Sequence, residues 1–418
     1  MRYFVFISLL FLTRTTIGQT DSVLDFPLRV PVDNSNPKSG FTTITYELGA
    51  SFSPKKPTVF IIADAQQFYV KKGAIKQLQN SLFDSTFNVV GIISRNNNID
   101  LKKSLTDTTG NVDWIKAYNI FCWQQYVNDI DAVRKKLLGK SGRILLYGQS
   151  GGGFLVHQYL SVYGKYVDRV FTGSAVNYFL DSESGINHDK FWEETTSQDS
   201  AFANKFSQLN QSDFFSRYLI AMLFQRQNFF VKPDSLQYER EKLLNLLLKN
   251  DTISIKNYII DYQIKDIQSF YNSADGIPIK IILFEFILPL LRNFKVKPDT
   301  LRPNIENLYF SSLQLIEAYN KNQIIPKSMD FSGLHSLNTD IFILSGRWDH
   351  TADYRSQIAL ASVYKNHYLF IANDNHTFIS LKNMGLYNKL LIAFLKYGKQ
   401  SSPFNEILIR CESLRWKE

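Results

Sequence analysis

Residues 148–152 read Gly-Gln-Ser-Gly-Gly, a serine with glycine two positions before it and glycines directly after it. The apolar run "RILLYG" leads in and "GGFLVHQYLSVYG" leads out, so the pattern predicts a strand, a tight turn and a helix. In that setting G-x-S-x-G holds the serine in a strained backbone with its Oγ exposed above a sheet. The chemistry that uses such a serine is acyl transfer through a serine ester. Gly151, opening the helix, offers a backbone N–H to the negative charge that develops on the reacting carbonyl oxygen. A phosphate-binding loop is the competing reading, but no lysine follows the glycines and the spacing G-x-G-x-x-G is absent.

A serine hydroxyl is a poor nucleophile until a base takes its proton, and the base needs an acid to orient it. Both should follow later strands, acid first and histidine second. "DIFILSGRWDHTAD" places Asp349 just past one apolar run, and "HYLFIANDNHTF" places His376 just past the next. Of the six histidines, His157 falls in the helix after the serine, and His188 and His335 lie in or beside a helical stretch. His350 adjoins the acid, and His367 opens a strand. Asp349 is preferred to Asp353, which is placed to start a helix, and Asp374 is too near His376 in sequence to orient the ring easily. Ser150, Asp349 and His376 are therefore the expected nucleophile, acid and base.

Elements that position these residues alternate along the chain. Strands are expected at "FPLRVPV", "FTTITYEL", "PTVFIIAD", "FNVVGIIS", "RILLYGQ", "VDRVFTGSAV", "DIFILSG" and "HYLFIAN". Most are continuous apolar runs, as suits strands covered on both faces. Helical patterns separate them. In "IFCWQQYVNDIDAVRKKLLG", Ile120, Trp123, Val127, Ile130, Val133 and Leu137 form one apolar face over a single expected helix. The expected fold is α/β, a mostly parallel eight-stranded sheet flanked by helices. Residues 181–335 break the alternation with helix-like, aromatic-rich sequence, so they read as a helical insertion between a first core part, 19–180, and a second, 336–418.

The chain has 418 residues, 44% of them hydrophobic and 14% aromatic, which suits a packed globular protein. Residues 1–18 carry Arg2, an apolar run and small residues near Gly18, the pattern of a signal peptide, so a secreted or periplasmic location is expected. Removing them takes away Arg2 and Arg14 and no acid, lowering the formal charge from +9 to +7. The lysines are scattered and no RNA-binding signature appears, so no nucleic-acid partner is expected. "IPIKIILFEFILPLLRNF" is interrupted by Lys280, Glu285 and Pro289, so a buried helix is expected there, with no stable membrane insertion after leader cleavage. Cys122 and Cys411 lack metal-ligand spacing and read as unpaired thiols in preference to a disulfide. No metal or cofactor is expected.

On "YVNDIDAVRKKL", "LLYGQSGGGFLVHQYLSVYGKYVDRVFTGSAV", "LSGRWDHTAD" and "NDNHTF", roughly residues 113–180 and 339–398, the sequence resembles the α/β-hydrolases, and within them the prolyl aminopeptidase branch. The resemblance implies the same nucleophile, acid and base, and a helical cap over the site. Family members carry a His-Gly-Gly-Pro-Gly type loop after the third strand; here the position reads "IIADAQQF", and a stretch usually Asp-x-Arg-Gly reads "IISRNNNID". Since the oxyanion donor is a backbone N–H, Ala65 or Gln66 could supply it beside Gly151. An aminopeptidase also needs a carboxylate for the substrate ammonium, in this family from the cap. "KFWEETT" offers Glu193 and Glu194, with Trp192 as an apolar wall. The expected substrate is a small peptide or ester. A carboxylesterase, or a degenerate hydrolase that binds without turnover, are the alternatives.

Overall fold

The computed structural model describes residues 23–65, 70–186, 189–198, 200–297 and 299–417. Eight strands form one sheet: β1 (Leu24–Pro31), β2 (Phe41–Leu48), β3 (Thr58–Ile62), β4 (Asn88–Ile93), β5 (Ile144–Gln149), β6 (Val167–Gly173), β7 (Asp340–Gly346) and β8 (His367–Ala372). Their order is β1-β2-β4-β3-β5-β6-β7-β8. The β1–β2 and β2–β4 pairs are antiparallel and every other pair is parallel.

The continuous apolar runs are explained by what covers the sheet. Phe60, Leu146 and Ile343 point into one core, while Val59, Leu145, Phe342 and Leu344 point into another on the opposite face. Side chains alternate along a strand, so a strand with helices on both sides must be apolar at nearly every position. On the second face Phe171, Phe342 and Tyr368 stack across neighbouring strands at 4.8 and 5.7 Å. Truncating the fully buried Phe342 would cost roughly 3–5 kcal/mol.

The single helix expected around Cys122 is in fact two, α1 (Trp114–Phe121) and α2 (Trp123–Leu138). Cys122 between them is extended, at φ −65° and ψ 158°. The cause lies far away in sequence. A buried carboxyl group, that of Glu285, accepts the Trp123 N–H at 3.0 and 3.2 Å and the Tyr118 hydroxyl at 3.3 Å. It thus satisfies an N–H that the first turn of α2 leaves without an intrahelical acceptor. Cys122 and Cys411 are both buried and free.

The helix after β5 is α3 (Gly151–Tyr163). Between β6 and β7 the named elements are helical and include α4 (Phe191–Gln198), α5 (Arg217–Phe230), α6 (Leu236–Leu248), α7 (Ile277–Ile287) and α8 (Pro303–Ser311). They share one continuous core with α2 and α3. Residue 181, the expected start of this excursion, falls inside the helix Tyr178–Ser184. The apolar run around Lys280 forms α7, and among the described residues no helix is long and apolar enough to cross a membrane.

Candidate active site

Ser150 joins the last residue of β5 to the first of α3 with φ 56° and ψ −124°. A positive φ at a non-glycine residue costs energy and persists only where the surroundings enforce it. Here its N–H donates to the Gly173 carbonyl at 2.9 Å, and its carbonyl accepts from Phe154 at 3.1 Å and Val176 at 3.3 Å. The glycines are needed for space. A Cβ on Gly148 would lie 2.7 Å from the Gly152 carbonyl oxygen, and one on Gly151 would lie 2.4 Å from Asp64 Oδ2. Ser150 itself is half-buried.

Asp349 and His376 come together from the loops after β7 and β8. Asp349 Oδ2 lies 2.8 Å from His376 Nδ1. Its Oδ1 accepts the backbone N–H groups of Thr351 at 2.8 Å and Ala352 at 3.0 Å. Burial alone would raise this carboxyl, but the facing imidazole, helped by the Ala352 N–H, outweighs it and holds the pKa below the ordinary carboxylate range. An acceptor at Nδ1 places the imidazole proton there and leaves the Nε2 lone pair free. Nε2 is buried and has no hydrogen-bond partner among the described residues.

The histidine loop is pinned to the serine turn and to the helical excursion alike. Gln149, beside Ser150, donates from Nε2 to the His376 carbonyl at 2.9 Å. Phe229, near the end of α5, packs on the imidazole at 4.6 Å between centroids. Thr377 Oγ1 donates to the Phe229 carbonyl at 3.3 Å, and Asn375 Nδ2 to the Val231 carbonyl at 3.0 Å.

Asp353, Asp374 and His157 have structural partners. Asp353 caps the helix Tyr354–Ser362 through the Arg355 N–H at 2.9 Å, and Asp374 accepts from the backbone of Ser380 and Leu381. His157 Nδ1 lies 2.6 Å from the Tyr364 hydroxyl, and burial pushes its pKa down to about 3. His188 lies outside the described residues.

Of the expected oxyanion donors, Gly151 opens α3, whose first N–H groups lack intrahelical acceptors. Ala65 is buried after β3, and its carbonyl accepts from Asn96 Nδ2 at 2.8 Å, so "IISRNNNID" anchors the chain at Ala65. Arg95 of the same stretch pairs with Asp129 at 2.7 Å. Gln66 lies outside the described residues. Asp64, which the sequence reading passed over, packs directly against Gly151.

Of the two substrate carboxylates expected from α4, Glu194 is engaged by four basic side chains. Glu194 is surrounded by Lys190 at 3.7 Å, Arg240 and Arg347 at 3.4 Å each and His350 at 3.0 Å. Burial would raise this carboxyl, but His350, Lys190 and Arg240 more than counter it and hold it well below the usual range. A carboxylate so committed ties α4 and α6 to the loop that carries Asp349. Glu193 is exposed and reaches Arg355 at 3.5 Å, and Trp192 is half-buried. Among the described residues no group of three or more His, Cys, Asp or Glu side chains is placed to hold a metal ion.

The strand order, the antiparallel β2 and the strained serine after β5 define the α/β-hydrolase fold. No protein-family model and no curated protein matches this chain. Among solved structures it is similar to MGS-M2, an α/β hydrolase enzyme from a Medee basin deep-sea metagenome library, at 9% identity over 86% of this chain and 96% of that one, with a TM-score of 0.41. It is also similar to a bromoperoxidase from Bacillus anthracis, at 14% identity over 88% and 98% with a TM-score of 0.40. The esterase EaEST from Exiguobacterium antarcticum gives 13% identity over 85% and 96%, also with a TM-score of 0.40. These likenesses are distant. The fold assignment rests on the topology and the serine turn.

Proposed function

We propose that this chain is a serine hydrolase working by acyl transfer. The observation that carries this reading is the backbone of Ser150, held at φ 56° at the head of a helix where only a packed surrounding can keep it. In this reading His376 Nε2 takes the Ser150 Oγ proton as Oγ bonds to the substrate carbonyl carbon. Gly151 N–H, joined by an N–H of the loop at Ala65 and Gln66, receives the oxyanion. The imidazolium then protonates the leaving group, and a water, deprotonated by the same imidazole, cleaves the acyl-enzyme. Asp349 remains ionised throughout and steadies the imidazolium.

Within that chemistry a prolyl-type aminopeptidase is the finer reading and a carboxylesterase its neighbour, since both use the same groups. Aminoacyl-arylamides and short-chain aryl esters, assayed side by side with Ser150→Ala as control, separate them. Turnover of neither, in a folded protein, would sink the proposal. The expected leader, residues 1–18, would carry the enzyme out of the cytoplasm, and N-terminal sequencing of the mature protein tests that.

One observation favours a second reading. Asp64 packs against Gly151, and a negative charge on it would oppose the charge of an oxyanion formed there, which suits a protein that binds without turning over. The two readings part on Asp64→Asn. A gain in ester hydrolysis marks Asp64 as a brake on a working site, whereas a protein with no turnover in either form fits the binding role.

A further inference from the structure

Arg226 lies on α5, one turn before the Phe229 that packs on His376. Its guanidinium carbon sits 4.5 Å from the Phe229 ring centroid and 5.0 Å from that of Phe230. With Phe229 itself 4.6 Å from the imidazole, the guanidinium and the imidazole are no more than about 9 Å apart. The hydrogen bonds of Thr377 and Asn375 to the end of α5 keep that spacing fixed.

What sets this arginine apart is its company. The fully buried Arg95, Arg134 and Arg240 each face a carboxylate, Asp129, Asp131 and Glu194 respectively. Arg226 is half-buried, spends Nε on the Tyr262 carbonyl at 3.2 Å, and has no carboxylate partner among the described residues. Burial pushes its pKa down to about 10, with the neighbouring Tyr271 acting the other way. A partly desolvated cation without a counter-charge gains most from an incoming anion, and a guanidinium matches a carboxylate with two parallel hydrogen bonds.

We propose that Arg226 is a specificity-determining residue of this site and takes a carboxylate carried by the substrate. The proposal rests on the serine-hydrolase reading, and it narrows the substrate class to acyl compounds with an anionic group close to the scissile bond. That carboxylate belongs either to the acyl part or to the leaving group.

Two substrate pairs distinguish the sources: p-nitrophenyl hemiglutarate against p-nitrophenyl valerate, and 4-(valeryloxy)benzoate against phenyl valerate. In the wild type, kcat/KM should favour the anionic member of one pair by about tenfold or more. Arg226→Met, which keeps an unbranched apolar stem and removes the guanidinium, should abolish the preference, and Arg226→Lys should retain part of it. Both variants should lose far more on the charged member of the pair than on the uncharged one. Equal losses on charged and neutral members, or no preference in the wild type, would overturn the proposal. Should no ester be turned over at all, glutarate binding to Ser150→Ala protein by calorimetry decides the matter. Binding lost on adding Arg226→Met would then keep the anion site while the hydrolase reading falls, and binding that is absent or indifferent to Arg226 would remove the site.

Discussion

Replacing Asp349 by Asn changes one buried atom and should disable the site through a proton. Asp349 Oδ1 is held by the N–H groups of Thr351 and Ala352, and Oδ2 faces His376 Nδ1 at 2.8 Å. An asparagine must keep its oxygen toward the two N–H donors, since its own NH2 cannot accept from them. Its NH2 then points at Nδ1, which has to become the acceptor, and the imidazole proton moves to Nε2. A base carrying its proton on the face that should receive one cannot activate Ser150. For a triad whose acid is changed this way the loss in kcat is about 10⁴-fold, equivalent to roughly 5.5 kcal/mol of barrier. The assay is kcat on whichever aryl ester or arylamide the wild type turns over, with thermal melting to show that the fold survives. A loss smaller than about tenfold in a folded variant would refute the reasoning, and it would do so even if Ser150 proved essential.

Two further outcomes follow from the charges around Glu194. His350 is buried beside Arg240, and burial first, then that guanidinium, pushes its pKa down to about 4 despite the opposing pull of Glu194. A folded pKa below the unfolded value means that the unfolded chain binds the extra proton. Stability is therefore full above about pH 6.5 and falls progressively toward pH 4, by roughly 3 kcal/mol over the whole window. Urea midpoints at pH 7 and pH 4.5 should differ less in His350→Gln than in the wild type, and identical differences would remove His350 as the cause. Glu194→Gln should lower thermal stability and depress hydrolysis of free-amine and N-acetylated substrates alike, because it strips the counter-charge from Lys190, Arg240 and Arg347. A loss confined to free-amine substrates would return Glu194 to the substrate.

The sheet was legible because its strands are buried on both faces. Each of the eight apolar runs, from "FPLRVPV" to "HYLFIAN", contains or overlaps an observed strand, and the punctuation by helices gave the layering. The serine turn was legible because its glycines are forced by backbone contacts within five residues, such as the approach of Gly148 to Gly152. What stayed hidden depends on partners distant in sequence. The break at Cys122 follows from Glu285 on α7, and no pattern within residues 113–139 announces it. Glu194 looked available because Lys190 was its only basic neighbour nearby in sequence; Arg240, Arg347 and His350 arrive from α6 and from the loop after β7. Asp64 and Arg226 were passed over for the same reason. The one local hint, an acid directly after a buried strand in "IIADAQQF", is the same hint that singled out Asp349 after β7.

The central claim is that Ser150 is a nucleophile activated by His376. Its most direct test is reaction of the full chain with a fluorophosphonate probe, followed by peptide mass spectrometry to locate the adduct. A single phosphonylated residue, Ser150, with labelling abolished in His376→Ala, is the predicted result. A folded wild-type protein that stays unlabelled at Ser150, or that labels there as fast without His376 as with it, would contradict the claim.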